Sequence, residues 1–150
     1  MRGKNAKIIE FLNRYQDALY KKKKLEMREE EYRKSITGAK AITYSDMPGG
    51  SHSNEGLEKY MVELERYRLD ILDQMKVCVQ ERKNVINAIE SIEGDDADKY
   101  KLLLSLRYIN CFKWDRVTEE MAINGQVYSL DNVKGYMHGK ALDAVNINTL

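Results

Sequence analysis

The sequence predicts an all-α protein: a long antiparallel helical hairpin or coiled coil, followed by a module of three short helices. Three observations carry this expectation. The 150 residues include one Pro and nine Gly, so few positions interrupt a helix. Apolar residues recur at helical spacing through two long stretches. Beyond Ala97 the same periodicity continues, but turn residues cut it into short pieces.

The first stretch, Asn5 to Ile36, lacks Pro and Gly and is dense in Lys, Glu, Arg and Leu. Ile8, Leu12, Tyr15, Leu19, Leu25, Tyr32 and Ile36 fall at three-, four- or seven-residue steps, with a six-residue gap after Leu19. That spacing predicts an amphipathic helix. The cation run Lys21 to Lys24 reads as a solvated helix face, the alternative being a patch for phosphates or an acidic partner. Residues 37–54 hold the loop chemistry: Gly38 is placed to end the first helix, Pro48 breaks any helix, and Gly49-Gly50 reads as turn. No Lys-Ser/Thr follows the Gly pair, so it is not a phosphate loop.

The second stretch has the stronger pattern. Leu57, Met61, Leu64, Arg68, Ile71, Met75, Cys78, Arg82, Val85, Ile89 and Ile92 alternate steps of four and three, and nine of these eleven are apolar. Ser53 or Asn54 is placed to cap its start. Such a helix is roughly 50 Å long and needs a partner, either the first helix folded back or a second copy of the chain. Glu93-Gly94-Asp95-Asp96 is a polar break, and the expected division follows it: 1–93 as hairpin, 97–150 as the second module.

Charge and composition exclude several classes. Residues 1–40 carry twelve Lys/Arg against six Asp/Glu, residues 41–96 the reverse, and residues 97–150 seven against six. A basic helix beside an acidic one suits pairing, which sets register more than it adds stability. No apolar run approaches the ~18–20 residues that cross a membrane, and the charged N-terminus lacks the core of a signal peptide. The chain is therefore expected to stay in the cytoplasm. Cys78 and Cys111 are too few for a disulfide framework and read as reduced, packed thiols. His52 and His138 are not at ligand spacing to a cysteine, so neither metal nor other cofactor is expected. No nucleophile–base pattern, nucleotide loop or carboxylate–histidine cluster marks an enzyme.

In the second module, Tyr100, Leu103, Leu104 and Tyr108 share one face of a helix. Trp114, Val117 and Met121 share the face of a second, Asn124-Gly125 forms a turn, and Ser129 caps a third. In that third helix Val133, Met137, Ala141 and Val145 step by four. Three short helices with a Gly-containing turn between the last two outline a helix-turn-helix.

These residues also resemble a family. LLSLRYINCFKWDRVTEEM is similar to the opening of region 4 of bacterial sigma factors, and MHGKAL resembles the end of the recognition helix in phage regulators of that type. YSDMPGG, Tyr44 to Gly50, resembles a segment of Gram-positive phage proteins grouped with ArpU- and RinA-type late-gene transcriptional regulators. Those proteins share the order basic helix, YSDMP loop, long helix, region 4-like module. The resemblance covers residues 40–145, and the first helix in character alone. Three departures stand out: AINGQVYS replaces a shorter Gly-Tyr-Ser turn, Val133 to His138 is one residue longer than the family pattern, and Gly135 and Gly139 sit inside the proposed recognition helix, each costing roughly 1 kcal/mol relative to Ala.

The resemblance implies binding to double-stranded DNA by the third helix, and contact with host RNA polymerase. With the step-of-four row inward, the outward side chains are Asp131, Asn132, Lys134, Tyr136, His138 and Lys140. Asn pairs bidentately with adenine, and Lys reaches guanine or a phosphate. Lys113 and Arg116, at the start of the preceding helix, suit backbone contacts that fix register. Arg107 is either a DNA contact or a structural ion-pair partner. Ser129 to Leu150 carries two acids against two lysines, so a lone module should bind weakly, and homo-oligomerisation through the long helices would compensate. Two other classes fit the same outline: a coiled-coil adaptor without direct DNA binding, and a small terminase-like packaging subunit.

Overall fold

The computed structural model describes residues 2–43 and 52–150, with side chains over 3–36 and 56–150. The described residues are helical with no strand. They form α1 (Arg2–Leu12), α2 (Arg14–Thr43), α3 (His52–Glu90), α4 (Ala97–Leu104), α5 (Trp114–Ile123), α6 (Leu130–Asn132) and α7 (His138–Ala144). Two π-helical turns, Ser105–Ile109 and Val133–Met137, continue α4 and join α6 to α7, and a 3₁₀ turn spans Ile147–Thr149. Tyr44 to Gly50 lies outside the described residues.

The first helix departs from expectation at both ends. It is interrupted for one residue at Asn13, although Asn13 N still donates to Ile9 O (2.9 Å) and Asp17 N to Asn13 O (2.9 Å). Its continuation runs through Gly38 to Thr43, so Gly38 does not terminate it. A helical glycine costs only about 1 kcal/mol, less than neighbouring turns can supply. The first described residue of α3 is His52, which puts Ser53 and Asn54 inside its first turn.

The chain divides into two compact units, and the division does not follow the Glu93–Asp96 break. One unit comprises 19–77, the two arms of the hairpin. Along α2 the half-buried positions are Leu19, Lys22, Leu25, Glu29, Tyr32 and Ile36, so Lys22 and Glu29 fill the gap left by the apolar pattern. Each has its charge met on its own helix, Lys22 by Glu26 (3.2 Å) and Glu29 by Arg33 (3.0 Å). Lys21, Lys23 and Lys24 are exposed, as a solvated face requires, with Lys24 above the Tyr20 ring. Tyr32 packs against Tyr60 and Tyr67 of α3, with ring centroids 5.8 and 5.4 Å apart, which fixes the arms as antiparallel neighbours.

The face that α3 turns inward in this unit differs from the expected stripe by one residue in every heptad. Leu64 is buried and Tyr60, Tyr67, Ile71 and Gln74 are half-buried, while Met61 (53% exposed), Arg68 and Met75 (44% exposed) lie outside. Tyrosine rings and an amide, rather than methionines, line the seam. A Tyr ring buries as much apolar surface as a Met side chain and keeps its hydroxyl at the edge.

The other unit comprises 1–18 and 78–150 and holds one continuous core. Ile8, Phe11 and Leu12 of α1 and Val85, Ala88, Ile89 and Ile92 of α3 meet Leu103, Leu104, Val117, Met121 and Leu142. The row Val133, Met137, Ala141 and Val145 is buried throughout, as its spacing predicts. Steps of four overshoot an α-helical turn by about 40° each. The looser winding of the turn Val133–Met137 offsets that drift and keeps the row in line.

Two local devices set where the third helical segment starts. Gly125, at φ 84°, follows α5, with Gly125 N donating to Ala122 O (3.0 Å) and Gln126 N to Met121 O (2.8 Å). This is a Schellman closure, and its left-handed residue is the position glycine occupies at least strain. Ser129 then caps α6 by accepting the Asn132 N–H (3.2 Å). The link between α5 and α6 spans Asn124 to Ser129, longer than a tight helix-turn-helix turn, and leaves Ile123 and Val127 more than three-quarters exposed. Replacing Gly125 by Ala should lower unfolding free energy by about 1 kcal/mol or more, and Ser129→Ala by about 1 kcal/mol. Urea unfolding of the two variants checks both; an unchanged midpoint for Gly125→Ala would refute the closure.

Candidate nucleic-acid interface

The segment Leu130 to Ala144 is pinned along one side by its buried row, so its opposite side is defined. Asp131, Lys134, Tyr136 and Lys140 are exposed there, Tyr136 at 68%. Lys140 Nζ lies 5.6 Å from the Tyr136 ring centroid, an i,i+4 cation–π pair that keeps both side chains extended along the face. Asn132 is half-buried, and its backbone is engaged by Ser129. Gly135 and Gly139 add no side chain, and a Cβ built at either would meet nothing within 4 Å. Of the sequence-based set on this segment, Asp131, Lys134, Tyr136 and Lys140 are exposed and Asn132 is half-buried; one member departs.

His138 is the exception: it turns inward. Its Nε2 is 2.8 Å from the Tyr108 hydroxyl, and its ring meets Trp114 edge-on at 4.7 Å between centroids. The reason lies in the π-helical turn, which shifts the angular position of every residue after Met137 relative to an uninterrupted α-helix. Burial, aided by the nearby Arg107 guanidinium, lowers the His138 pKa to about 4. Burial also pushes the Tyr108 hydroxyl up to about 12, with Arg107 opposing. The pair is therefore neutral at pH 7, and in the Nδ1–H tautomer Nε2 accepts the phenolic proton. His138 thereby holds α7 to the end of the first helical segment of the module.

Arg107 is committed to the same cluster. Its guanidinium stands 4.6 Å from the Trp114 ring centroid, and Nη1 donates to the Phe112 carbonyl (3.0 Å). It therefore braces the turn into α5, where Cys111 adopts a left-handed φ of 58°. Burial raises the Cys111 thiol above its ordinary range, so it is not an activated thiolate. Cys78 is buried.

Lys113 and Arg116 line a shallow open groove at the start of α5, with Cys111, Phe112, Asp115 and Glu119. Lys113 occupies the N-cap position in extended conformation, and its side chain is exposed. Arg116 lies flat over the Phe112 ring, 3.9 Å from the centroid. The two cations share the groove with two carboxylates, so its net field is small. Tyr108 and Trp114 were legible in the sequence as core residues; their link to His138 was not, because it depends on helix winding. No described helix is long and apolar enough to cross a membrane.

No protein-family model matches this chain, and no similar curated protein or solved structure was found.

Two outcomes follow from this geometry. The folded pKa of His138 lies below its ordinary 6.5, so the unfolded chain takes up the proton first. Its contribution is complete above pH 6.5 and is lost as pH falls from there towards about 4. Unfolding measured over that window should show a slope that His138→Gln reduces. Gly135→Ala and Gly139→Ala should each stabilise the fold, by up to about 1 kcal/mol, because each removes backbone entropy and meets open space. Thermal denaturation checks this, and destabilisation would contradict the open face.

Proposed function

We propose that this protein is a DNA-binding transcriptional regulator of a phage or mobile element, a late-gene activator that reads double-stranded DNA with the segment Leu130–Ala144. The observation that carries the reading is the face formed by Lys134, Tyr136 and Lys140 around two bare glycines, opposite a fully buried row. A major groove demands polar side chains on one side of a helix and firm packing on the other. Lys134 and Lys140 would reach guanine edges or phosphates, and Asn132 would approach from the helix start. Gly135 and Gly139 let the helix backbone come close to the DNA, which accounts for helix-weakening residues kept where nothing crowds them. Lys113 and Arg116 would hold the phosphate backbone from the neighbouring helix. The resemblance to sigma region 4 supports host RNA polymerase as a second partner, and action in the bacterial cytoplasm.

A protein-interaction adaptor is the second reading. It is favoured by Ile123 and Val127, exposed between α5 and α6, and by the carboxylates that offset Lys113 and Arg116. A small terminase-like packaging subunit shares the outline but would place its DNA-binding module first.

Fluorescence anisotropy on DNA from the protein's own genomic neighbourhood, across a salt series, decides between them. Four cations at the surface limit the slope of log affinity against log salt to about −3.6. Sequence-selective binding within that slope, weakened in both Lys134→Ala and Lys140→Ala, is the expected result. Absence of selective binding by the folded protein at low salt would remove direct readout and favour the adaptor.

A further inference from the structure

The outer side of α3 within the hairpin unit carries an apolar sector that no described element covers. Met61, Val62, Leu69, Leu72 and Met75 are between 44% and 63% exposed, and all lie on one flank of the helix. Lys59, Glu63, Arg66, Asp70 and Asp73 follow beyond it around the helix, together with exposed Val77, while Glu58, Glu65, Arg68 and Lys76 lie within the sector. Five large apolar side chains on one flank of a four-turn helical span are a seam without a partner.

The charges within the sector say what the partner is. Met61, Glu65, Arg68 and Leu72 follow one another at steps of four, three and four along the sector's middle. Among the described residues, neither Glu65 nor Arg68 has an ion-pair partner, whereas Arg66 pairs with Glu63 on the other flank. Read in reverse, the order apolar–acid–base–apolar becomes apolar–base–acid–apolar. An antiparallel copy therefore sets Met61 against the partner's Leu72, and Glu65 against the partner's Arg68, each twice by symmetry. A parallel copy in register would place Glu65 on the partner's Glu65 and Arg68 on the partner's Arg68, which repels. We infer that a second copy of this chain docks on this flank of α3 in antiparallel, two-fold orientation, making the protein a homodimer. Among the described side chains, the outer side of α2 offers no comparable seam, since Tyr20 and Met27 stand there among Lys21, Lys23, Lys24 and Arg28. The inference does not depend on DNA binding and is tested without DNA.

Sedimentation velocity on the full chain from about 1 to 100 µM is the experiment, a range that brackets micromolar dissociation constants. The expected result is a dimer that Leu72→Glu with Met75→Glu converts to a monomer, at unchanged helical content by circular dichroism. Glu65→Arg and Arg68→Glu, each alone, should weaken the dimer by roughly tenfold or more, because each sets like charges against one another. Combined in one chain, the two reversals restore the complementary order and should restore the dimer. A monomeric wild-type chain throughout that range would overturn the inference. So would a dimer indifferent to the Leu72 and Met75 substitutions, or a combined reversal no better than the single ones.

Discussion

The three C-terminal helical segments do not close a core of their own, and this constraint governs the larger unit. Residues 97–150 alone would bury a smaller share of their surface than a longer chain does, because the fraction buried rises with chain length. Leu103, Leu104 and Leu142 are covered instead by Ile8 and Leu12 from the chain's start and by Val85, Ile89 and Ile92 from the end of α3. Both Ala88 and Ile89 are buried there, which a helix achieves only with neighbours on two sides. Ser91 marks the same junction: its hydroxyl accepts the Asn146 N–H (3.0 Å), tying the last residues to the end of α3. Orientation of the face bearing Lys134 and Lys140 is thus set partly by residues more than a hundred positions earlier.

Within the hairpin the seam is polar where a coiled coil would be greasy. Tyr60, Tyr67 and Gln74 alternate with Leu64 and Ile71 along α3, and Lys22 and Glu29 alternate with Leu25 and Tyr32 along α2. Such a seam gains less from burial than an aliphatic one, at roughly 25 cal/mol per Å² of apolar area. In exchange, few alternative alignments satisfy its rings and charges at once.

Much of the architecture was legible from residue spacing. The three short helices, the Ser129 cap, the turn at Gly125 and the buried row of the last segment follow from periodicity and turn chemistry alone. The inner face of α3 was not, because its pattern fits two adjacent stripes. Leu64, Ile71 and Cys78 belong to both, and an apolarity count prefers Met61 and Met75 to Tyr60, Tyr67 and Gln74. The division into units escaped for a related reason: Ile8, Leu12, Val85 and Ile89 continue the hairpin's periodicity while packing elsewhere. His138 was misplaced because a uniform α-helical pitch was assumed where the backbone is locally wider. The placement of Lys113, Lys134 and Lys140 on exposed surface was read correctly, while the offsetting role of Asp115 and Glu119 needed the folded groove.

The winding at Val133–Met137 also makes this segment a vernier. One surplus residue turns everything beyond it by about 100° relative to a plain helix. Deleting a single residue there would let the backbone relax into continuous α-helix without breaking the chain's course. The same act would swing His138 away from Tyr108 and bring different side chains to the outer face. A lineage carrying this bulge could therefore exchange one presented surface for another by a three-nucleotide deletion, a shorter route than substituting each exposed position in turn.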